Sequence, residues 1–426
     1  MIRHTKVWLL LGASLLTSVA HAADTVSRAE YEALKKQVAV LQKQIATRDT
    51  VETPASTSTT SSSAIASLQR DVTDLKSAAE LTRPGTTNMH IAGSMSTTFS
   101  TYANDNSNFS AKFSPIFIWE ITDRLLFEGE VEMELENSDT VVKVEYAQMS
   151  YLLNDYLTLG VGKFLSPLNN FVERYEPGWI NKLPDTPLAI YDGILPESHI
   201  GAQIRGVIPL GVSRVNFAAY VANAPRLIAN DPEALGQLQF DNFSSLSNDK
   251  AVGGRIGFEP LPWLEVGYGA QVSDVSDADG LVGSPRALLQ SVDLRVKRDS
   301  PFFKGGFTLL GQYAWTDVGR ETYDADGSLG VGPVTFDNKR SGGYLQLSYR
   351  PKQLSEFLNH FEAVVRADEV NAPSDAPGAF DEKRLTVGLN YYLLSATVVK
   401  AAYELDERNN GEPNQNGFLL QFSSGF

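Results

Sequence analysis

The segment from Phe127 to Glu136, FEGEVEMELE, places a carboxylate at every second position. Successive side chains leave a β-strand on opposite faces, so this pattern predicts one apolar face and one fully ionised face. Burying a row of carboxylates in a dry core is prohibitively costly, whereas beside water the row attracts cations. We therefore expect the ionised face to line an aqueous lumen and the apolar face to meet lipid. The carboxylates are those of Glu128, Glu130, Glu132, Glu134 and Glu136.

The neighbouring segments supply few cations to balance this row. Only Lys112, on the preceding predicted strand, and Lys143, on the following one, are suitably placed. Interior charges are usually paired, so one interpretation is that these carboxylates only stiffen the wall through ion pairs. The other is a stripe of negative charge that favours the passage of cations. Two lysines are too few for five acids, which favours the stripe.

Basic residues occupy inward-facing positions of the later predicted strands, with carboxylates interleaved among them. Three of them, Arg366, Arg384 and Lys400, would form a stripe opposite the glutamates. Opposed stripes would create a transverse field that selects solutes by dipole as well as by charge. The basic candidates are Arg205, Arg255, Arg295, Lys297, Arg366, Arg384 and Lys400, and the interleaved acids are Glu265, Asp293, Glu362, Asp368 and Glu404.

The longest connection between predicted strands, 166–198, is too apolar for a loop surrounded by water. Its aromatic residues, among them Phe171, Tyr175 and Trp179, would be buried if the loop folded inward against the wall and narrowed a pore. A lid packed over the outer mouth would bury the same rings and is the alternative. In the inward arrangement, passing solutes would meet the loop's charged residues: Glu173, Arg174, Glu176, Lys182, Asp185 and Asp192.

Residues that could perform catalysis or hold a metal are sparse. Beyond the leader, the histidines His90, His199 and His360 lie in separate predicted strands near a rim, where polar rim residues are expected. No G-x-S-x-G or H-E-x-x-H spacing occurs, cysteine is absent, and no loop has calcium-binding spacing. The sequence thus predicts a protein that is not an enzyme and uses no cofactor or metal.

The elements that carry these residues follow an export leader. A basic start, an apolar run from Val7 to Ala20 and the small-x-small pattern AHA predict a signal peptide at 1–22. Apolar residues at spacings of three and four then predict a helical segment at 23–48 and a second one at 64–83. A Ser/Thr-rich linker, 49–63, separates them. Whether the two helices form a self-associating coil or only a spacer is open, as is contact with peptidoglycan.

From residue 88 to 426 the pattern changes to sixteen segments of about ten residues with period-two alternation. Short and long connections alternate between them. An even strand count with turns on one rim and loops on the other is typical of a bacterial transmembrane barrel, and we predict an all-β, 16-stranded antiparallel fold. Pro115 should force a bulge in the second strand. Aromatic residues near strand ends, such as Trp119, Tyr220 and Trp315, are expected to form girdles at the membrane interfaces.

Several stretches resemble outer-membrane porins, most closely the phosphate-selective porin group. They are LTLGVGKFLSPL (157–168) before the long third outer loop, GAQIRGVIPL (201–210) after it, and the terminal Phe426. The resemblance implies a trimer in the outer membrane, and Phe426 resembles the signal read by the barrel-assembly machinery. Anion selection in that family comes from basic clusters, whereas the third loop here is net acidic, so the resemblance supports the architecture and not phosphate specificity.

These observations predict a channel for the passive diffusion of small hydrophilic solutes and ions, with a bias towards cations. The alternatives are an anion- or phosphate-selective porin and a receptor or adhesin that uses its outer loops, for example 223–249. A formal net charge of -15 argues against nucleic acid as a partner, because phosphate binding requires a basic surface.

Overall fold

The computed structural model covers most of the predicted barrel. Every segment that the sequence predicts before residue 84 lies outside the described residues, and so does Asp192. The residues described are 89–103, 105–136, 139–191, 194–232, 234–240, 243, 248–277, 282–324, 327, 330–409 and 414–426.

Sixteen strands close into one antiparallel barrel, which confirms the predicted fold class. Each barrel strand pairs with its neighbours in the chain, and the first pairs with the last. Two further strands of two residues each, β8 (Arg226–Leu227) and β9 (Leu238–Gln239), form a separate ladder within one long connection. The barrel strands are β1 (Met89–Tyr102), β2 (Asn108–Thr122), β3 (Leu125–Glu136), β4 (Asp139–Asn154), β5 (Leu157–Leu165), β6 (Ser198–Leu210), β7 (Ser213–Asn223), β10 (Lys250–Leu261), β11 (Leu264–Asp274), β12 (Arg286–Ser300), β13 (Gly305–Tyr323), β14 (Val334–Pro351), β15 (Phe361–Asn371), β16 (Glu382–Leu394), β17 (Thr397–Arg408) and β18 (Gly417–Gly425).

The ends of the barrel sequence close the sheet. Residues from Ser94 to Tyr102 pair with β18, and the main chains of Gly93 and Phe426 exchange two hydrogen bonds of 3.0 and 3.1 Å. The Phe426 ring lies outside the barrel against Phe113, with ring centroids 5.9 Å apart. Closure leaves no unpaired sheet edge, which a chain in a bilayer requires because lipid offers no hydrogen bonds.

The two faces of the strands differ as the alternation predicts. On β16, Thr386 and Asn390 are fully buried, whereas Val387 and Leu389 are 53% and 50% exposed. The same inversion of the usual order, with polar residues inside and apolar residues outside, recurs on β11, β17 and β18. The outer surface of the barrel is therefore a broad apolar band.

The longest connections, those after β5, β7, β11 and β13, lie on one rim, which also carries the short connection between β3 and β4. The connection between β5 and β6 contains two short helices, α1 (Asn170–Arg174) and α2 (Leu188–Tyr191). Within the described residues, no helix is both long enough and apolar enough to cross a bilayer. An apolar core lies inside the barrel, where Phe164, Leu195 and Leu235 bring the two longest connections together, each at most 1% exposed.

Two local expectations are wrong. Pro115 causes no bulge, because β2 keeps one register with β3 on both sides of it. Gly93, with φ 156°, pairs with Pro115 on the neighbouring strand. A side chain at this position would clash with the proline, because a Cβ there would lie 2.9 Å from the proline Cα. Tyr220 does not join an outer girdle. Its strand position turns it inward, where it is 4% exposed and its hydroxyl donates to Gln271 at 2.7 Å.

Candidate functional site

An acidic wall runs along the inner face of β3. The apolar residues that alternate with the glutamates point outward, and Leu135 is 52% exposed. The glutamates point inward. Glu128 and Glu132 are 7% and 4% exposed, whereas the Glu134 side chain retains 34% exposure. The Glu136 side chain lies outside the described residues.

A further carboxylate of this wall, Glu145, escaped the sequence analysis. The β3–β4 ladder shifts register where Glu130 pairs with Tyr146 and Val131 pairs with Val144. This bulge leaves Glu145 unpaired in the ladder and buries it beside Tyr146 on the inner side, at 8% and 6% exposure. Simple alternation does not reveal the bulge. The one signal in the sequence is the succession of two polar side chains, Glu145 and Tyr146, after the outward Val144.

Two lysines contact the acidic wall, and they are the two that the sequence suggested. Lys112 pairs with Glu132, and its Nζ lies 3.8 Å from a Glu134 oxygen. Lys143 Nζ lies 3.9 Å from the other Glu134 oxygen. Among the described residues, Glu130 and Glu145 form no ion pair. The wall therefore keeps two carboxylates that form no direct ion pair with a cation of the described ranges.

The connection 166–198 lies against the inner face of the barrel. At its start, the Asn169 side chain accepts a hydrogen bond from the Val172 amide and caps α1. The Phe171 amide then donates to Gln312 on β13 at 3.3 Å, and the Phe171 ring meets Tyr344 on β14 edge to face. These contacts attach the start of the loop to the wall opposite β3.

Three arginines converge on one buried carboxylate. Glu265, 1% exposed, accepts hydrogen bonds from Arg174 of the loop at 2.9 and 3.0 Å. Arg255 and Arg295 approach the same carboxylate at 3.1 and 3.2 Å. Arg255 also pairs with Asp293 at 2.6 Å. Arg255 on β10 and Arg295 on β12 thus belong to a cluster of ion pairs that holds the loop. Lys297, the other predicted basic candidate on β12, is exposed and lies outside this cluster.

The expected open stripe of Arg366, Arg384 and Lys400 differs from the structure at two of its members. Arg366 is 0% exposed and donates to the Asp185 and Thr186 carbonyls, each at 2.9 Å. Lys400 is 1% exposed. Both side chains lie beneath the loop, because they donate hydrogen bonds to its main-chain carbonyls. A role of these two residues in ion selectivity stays a prediction.

The same side of the loop carries further wall contacts. Lys400 donates to the Gly178 carbonyl and, at 2.7 Å, to Gln421. Arg384 is partly exposed and pairs with the Asp185 carboxylate at 2.5 Å. These donors attach the later part of the loop to β17 and β16.

Two more ion pairs of the loop stay partly in contact with solvent. Glu173 pairs with Arg205 of β6, whose side chain is 24% exposed. Lys182 lies 3.0 Å from Glu362 and 3.1 Å from the Tyr392 hydroxyl. Burial opposes the charge on Lys182, but the adjacent Tyr392 and Glu362 outweigh it and hold the pKa of Lys182 above its ordinary value. The ammonium is therefore charged at neutral pH.

His199 is not the polar rim residue that the sequence predicted. It is 5% exposed, stacks on Tyr220 with ring centroids 4.4 Å apart, and shares a 3.0 Å hydrogen bond with Ser166. A nucleophile and base of this kind need an orienting acid and access for substrate. Among the described residues no carboxylate contacts the ring, and the pair joins the two ends of the long connection. No metal-binding group of three His, Asp or Glu side chains occurs in the described ranges.

Comparisons with known proteins support the barrel fold. No protein-family model and no curated protein matches this chain. It is similar in structure to OprB of Pseudomonas putida at high pH (TM-score 0.54, 11% identity, covering 80% of this chain and 94% of that one). It is also similar to an anion-selective porin from Comamonas acidovorans (TM-score 0.52, 12% identity, covering 79% of this chain and 99% of that one). A third similar structure is Salmonella typhi OmpF in complex with daunomycin (TM-score 0.50, 12% identity, covering 79% of this chain and 97% of that one). At such identities the likeness shows a shared fold, and the phosphate-selective group stays a prediction.

Proposed function

We propose that this protein is an outer-membrane porin, a water-filled channel for passive diffusion of small hydrophilic solutes and ions that favours cations. The observation that carries the proposal is where the accessible charges lie. Arg366 on β15 and Lys400 on β17 are sealed beneath the loop, and the Arg384 side chain on β16 is only 12% exposed. On the acidic wall Glu128 and Glu132 are buried, but the side chains of Lys112, Lys143 and Glu134 are 33%, 53% and 34% exposed. We propose that the open passage runs along β2–β4.

The charge of that passage is negative. Six carboxylates from β3, β4 and the loop face the ammonium groups of Lys112 and Lys143, and the charge of a third lysine, Lys163, also acts on Glu145. Fixed charge of one sign in a narrow aqueous passage concentrates counter-ions and repels co-ions. Cations should therefore enter more readily than anions of equal size. The carboxylates are those of Glu128, Glu130, Glu132, Glu134, Glu145 and Glu176.

The apolar outer surface supports a place in a membrane, with lipid as the first partner. We expect Val387→Arg, at a 53% exposed position of the outer face, to lower the free energy of unfolding in lipid vesicles by about 2–4 kcal/mol, because the charge would enter hydrocarbon. Phe302→Arg is the matched control, since Phe302 is 85% exposed in a short connection at the rim and the change there should cost at most about 1 kcal/mol. Equal effects at both sites would argue against a lipid-facing wall.

The transport proposal is tested by swelling of vesicles that contain the purified full chain. Isotonic neutral sugars of increasing size should cause swelling at rates that fall with size, since passage is by diffusion through a constriction. Cationic amino acids should enter faster than anionic ones of similar size. A protein that inserts but gives no swelling with the smallest sugar would refute the channel.

An anion-selective porin is the second candidate, because Arg174, Lys182, Arg205 and Arg295 keep 20–26% side-chain exposure. One of the similar barrels is named as anion-selective. Each of these cations has a carboxylate partner within ion-pair distance, whereas Glu130 and Glu145 form no ion pair among the described residues. That imbalance favours cations. Faster entry of anionic amino acids in the swelling assay would support this alternative.

Assembly partners belong to the same proposal. A porin of this type would form a homotrimer and present Phe426, at the end of the closing strand, to the barrel-assembly machinery. Phe426 is 56% exposed on the outer surface, where such a factor could reach it. The predicted helical segments would lie on the periplasmic side and could contact peptidoglycan.

A further inference from the structure

A bridge crosses the lumen between two fixed points of the loop. At one end, Arg174 forms its two hydrogen bonds with Glu265 on β11. At the other, Gly178 packs so closely on β18 that a Cβ there would lie 2.7 Å from the Ser423 hydroxyl. We name residues 174–178 the bridge. The bridge is attached at both ends, at Arg174 through its side chain and at Gly178 through its main-chain carbonyl, so its middle residue, Glu176, projects from a fixed span.

One lysine joins this bridge to the acidic wall. Lys112 Nζ contacts Glu132, lies 3.8 Å from Glu134 and lies 3.8 Å from Glu176. A single ammonium is thus shared by carboxylates of two different elements, β3 and the loop. The Lys112 and Glu176 side chains are 33% and 18% exposed, so the contact borders the accessible passage and is not part of the sealed core.

The charges around Glu176 favour its contact with the wall through that lysine. Without a cation between them, the carboxylate on the bridge and the carboxylates of β3 repel one another. The repulsion is stronger than in bulk water, because the effective dielectric constant in a narrow passage is lower. With the ammonium between them, the same groups attract it from both sides. Lys112 therefore converts a repulsive contact between loop and wall into an attractive one.

We propose that Lys112 is a positioning residue that holds Glu176 against β3 and so sets the width of the passage. The inference rests on the proposed channel function and deepens it. Lys112 then has two effects, because it contributes to the charge of the pore and also to its width. Only the second would change the entry of uncharged molecules.

The test measures single-channel conductance in planar bilayers with neutral polyethylene glycols of graded size, which lower conductance only when they enter the pore. We expect Lys112→Gln to admit a polymer at least one size step larger than the wild type does, because Glu176 is then repelled from the wall. Glu176→Gln should keep the wild-type cutoff, since the repulsion is gone. The double variant K112Q/E176Q should also return to the wild-type cutoff.

Lys143→Gln is the matched control. It removes the same charge from the same wall, but among the described residues its ion pair is with Glu134 alone. Its ion selectivity should shift as that of K112Q does, without a change in cutoff. An unchanged cutoff in a conducting K112Q channel, or equal increases in K112Q and K143Q, would overturn the proposal. A wild-type protein without conductance would instead refute the porin function itself. Heat-modified migration on gels confirms that each variant is a folded barrel.

Discussion

Replacing Arg366 by methionine is expected to lower the free energy of unfolding by about 3–5 kcal/mol, the usual cost of removing one partner of a buried ion pair. Arg366 and Asp368 are 2.9 Å apart and both side chains are fully buried. The substitution leaves the Asp368 charge without its partner and removes the donors to the Asp185 and Thr186 carbonyls. The measurement is urea unfolding of the refolded barrel in vesicles, followed by tryptophan fluorescence.

Two controls identify the cause. The double variant R366M/D368L removes both charges, so it should recover much of the lost stability, although two loop carbonyls still lack a donor. Arg214→Met breaks an ion pair of 2.7 Å with Glu259, but the Arg214 side chain is 54% exposed. Exposed pairs contribute at most about 1 kcal/mol. If R366M were no less stable than R214M, Arg366 would not be a buried anchor of the loop.

The triple variant E130Q/E132Q/E134Q is expected to reduce the permeability ratio of cation to anion by about tenfold at low ionic strength, because local potentials of several kT fall with the fixed charge. All three residues lie on the inner face of β3 and line the acidic wall. Glutamine keeps their shape and removes only their charge. The reversal potential of a bilayer under a salt gradient measures the change. In 1 M salt the effect should shrink, since the Debye length is then about 3 Å.

The control for the triple variant removes the same number of charges elsewhere. Asp123, Asp155 and Glu356 are exposed residues of short connections, and none lies on the acidic wall. Their replacement by asparagine or glutamine should leave the permeability ratio within about twofold of the wild type, because their charges are screened from the constriction. Similar shifts in both triple variants would mean that net charge, and not the wall, governs selectivity. An unchanged permeability ratio in E130Q/E132Q/E134Q would mean that the acidic wall has only a structural role.

The strands could be predicted because each carries its own pattern. Period-two alternation with turn residues located all sixteen barrel strands, and β1, predicted at 89–102, spans Met89–Tyr102. The largest errors were at the outer ends of β13 and β14, which the pattern predicts at 305–316 and 341–350 but which extend to Tyr323 and begin at Val334. There the two strands pair beyond the alternating region, where the sequence reads as a polar loop. Local pattern therefore gave the topology and underestimated this hairpin.

The site was predictable only in part, because its geometry depends on distant contacts. The alternation of side chains along each strand correctly predicted that Glu265 and Lys400 point inward. The local sequence did not show that Lys400 donates to the Gly178 carbonyl, which is 222 residues away in the chain. The order of residues in loop 166–198 does not say which wall each one meets. Bulges are also hidden, since one extra residue at Glu145 reverses the expected face. Residue types thus predicted an interior of mixed charge, and packing decided which charges stay accessible.

The most direct test of a charge-biased channel is the current carried by the purified full chain in a planar bilayer under a tenfold KCl gradient. We expect a steady, ohmic single-channel current whose reversal potential has the sign of K⁺ permeation and moves towards zero as the salt concentration rises. A reversal potential with the sign of Cl⁻ permeation would contradict the role given to the acidic wall. The absence of any current from correctly inserted protein would contradict the channel.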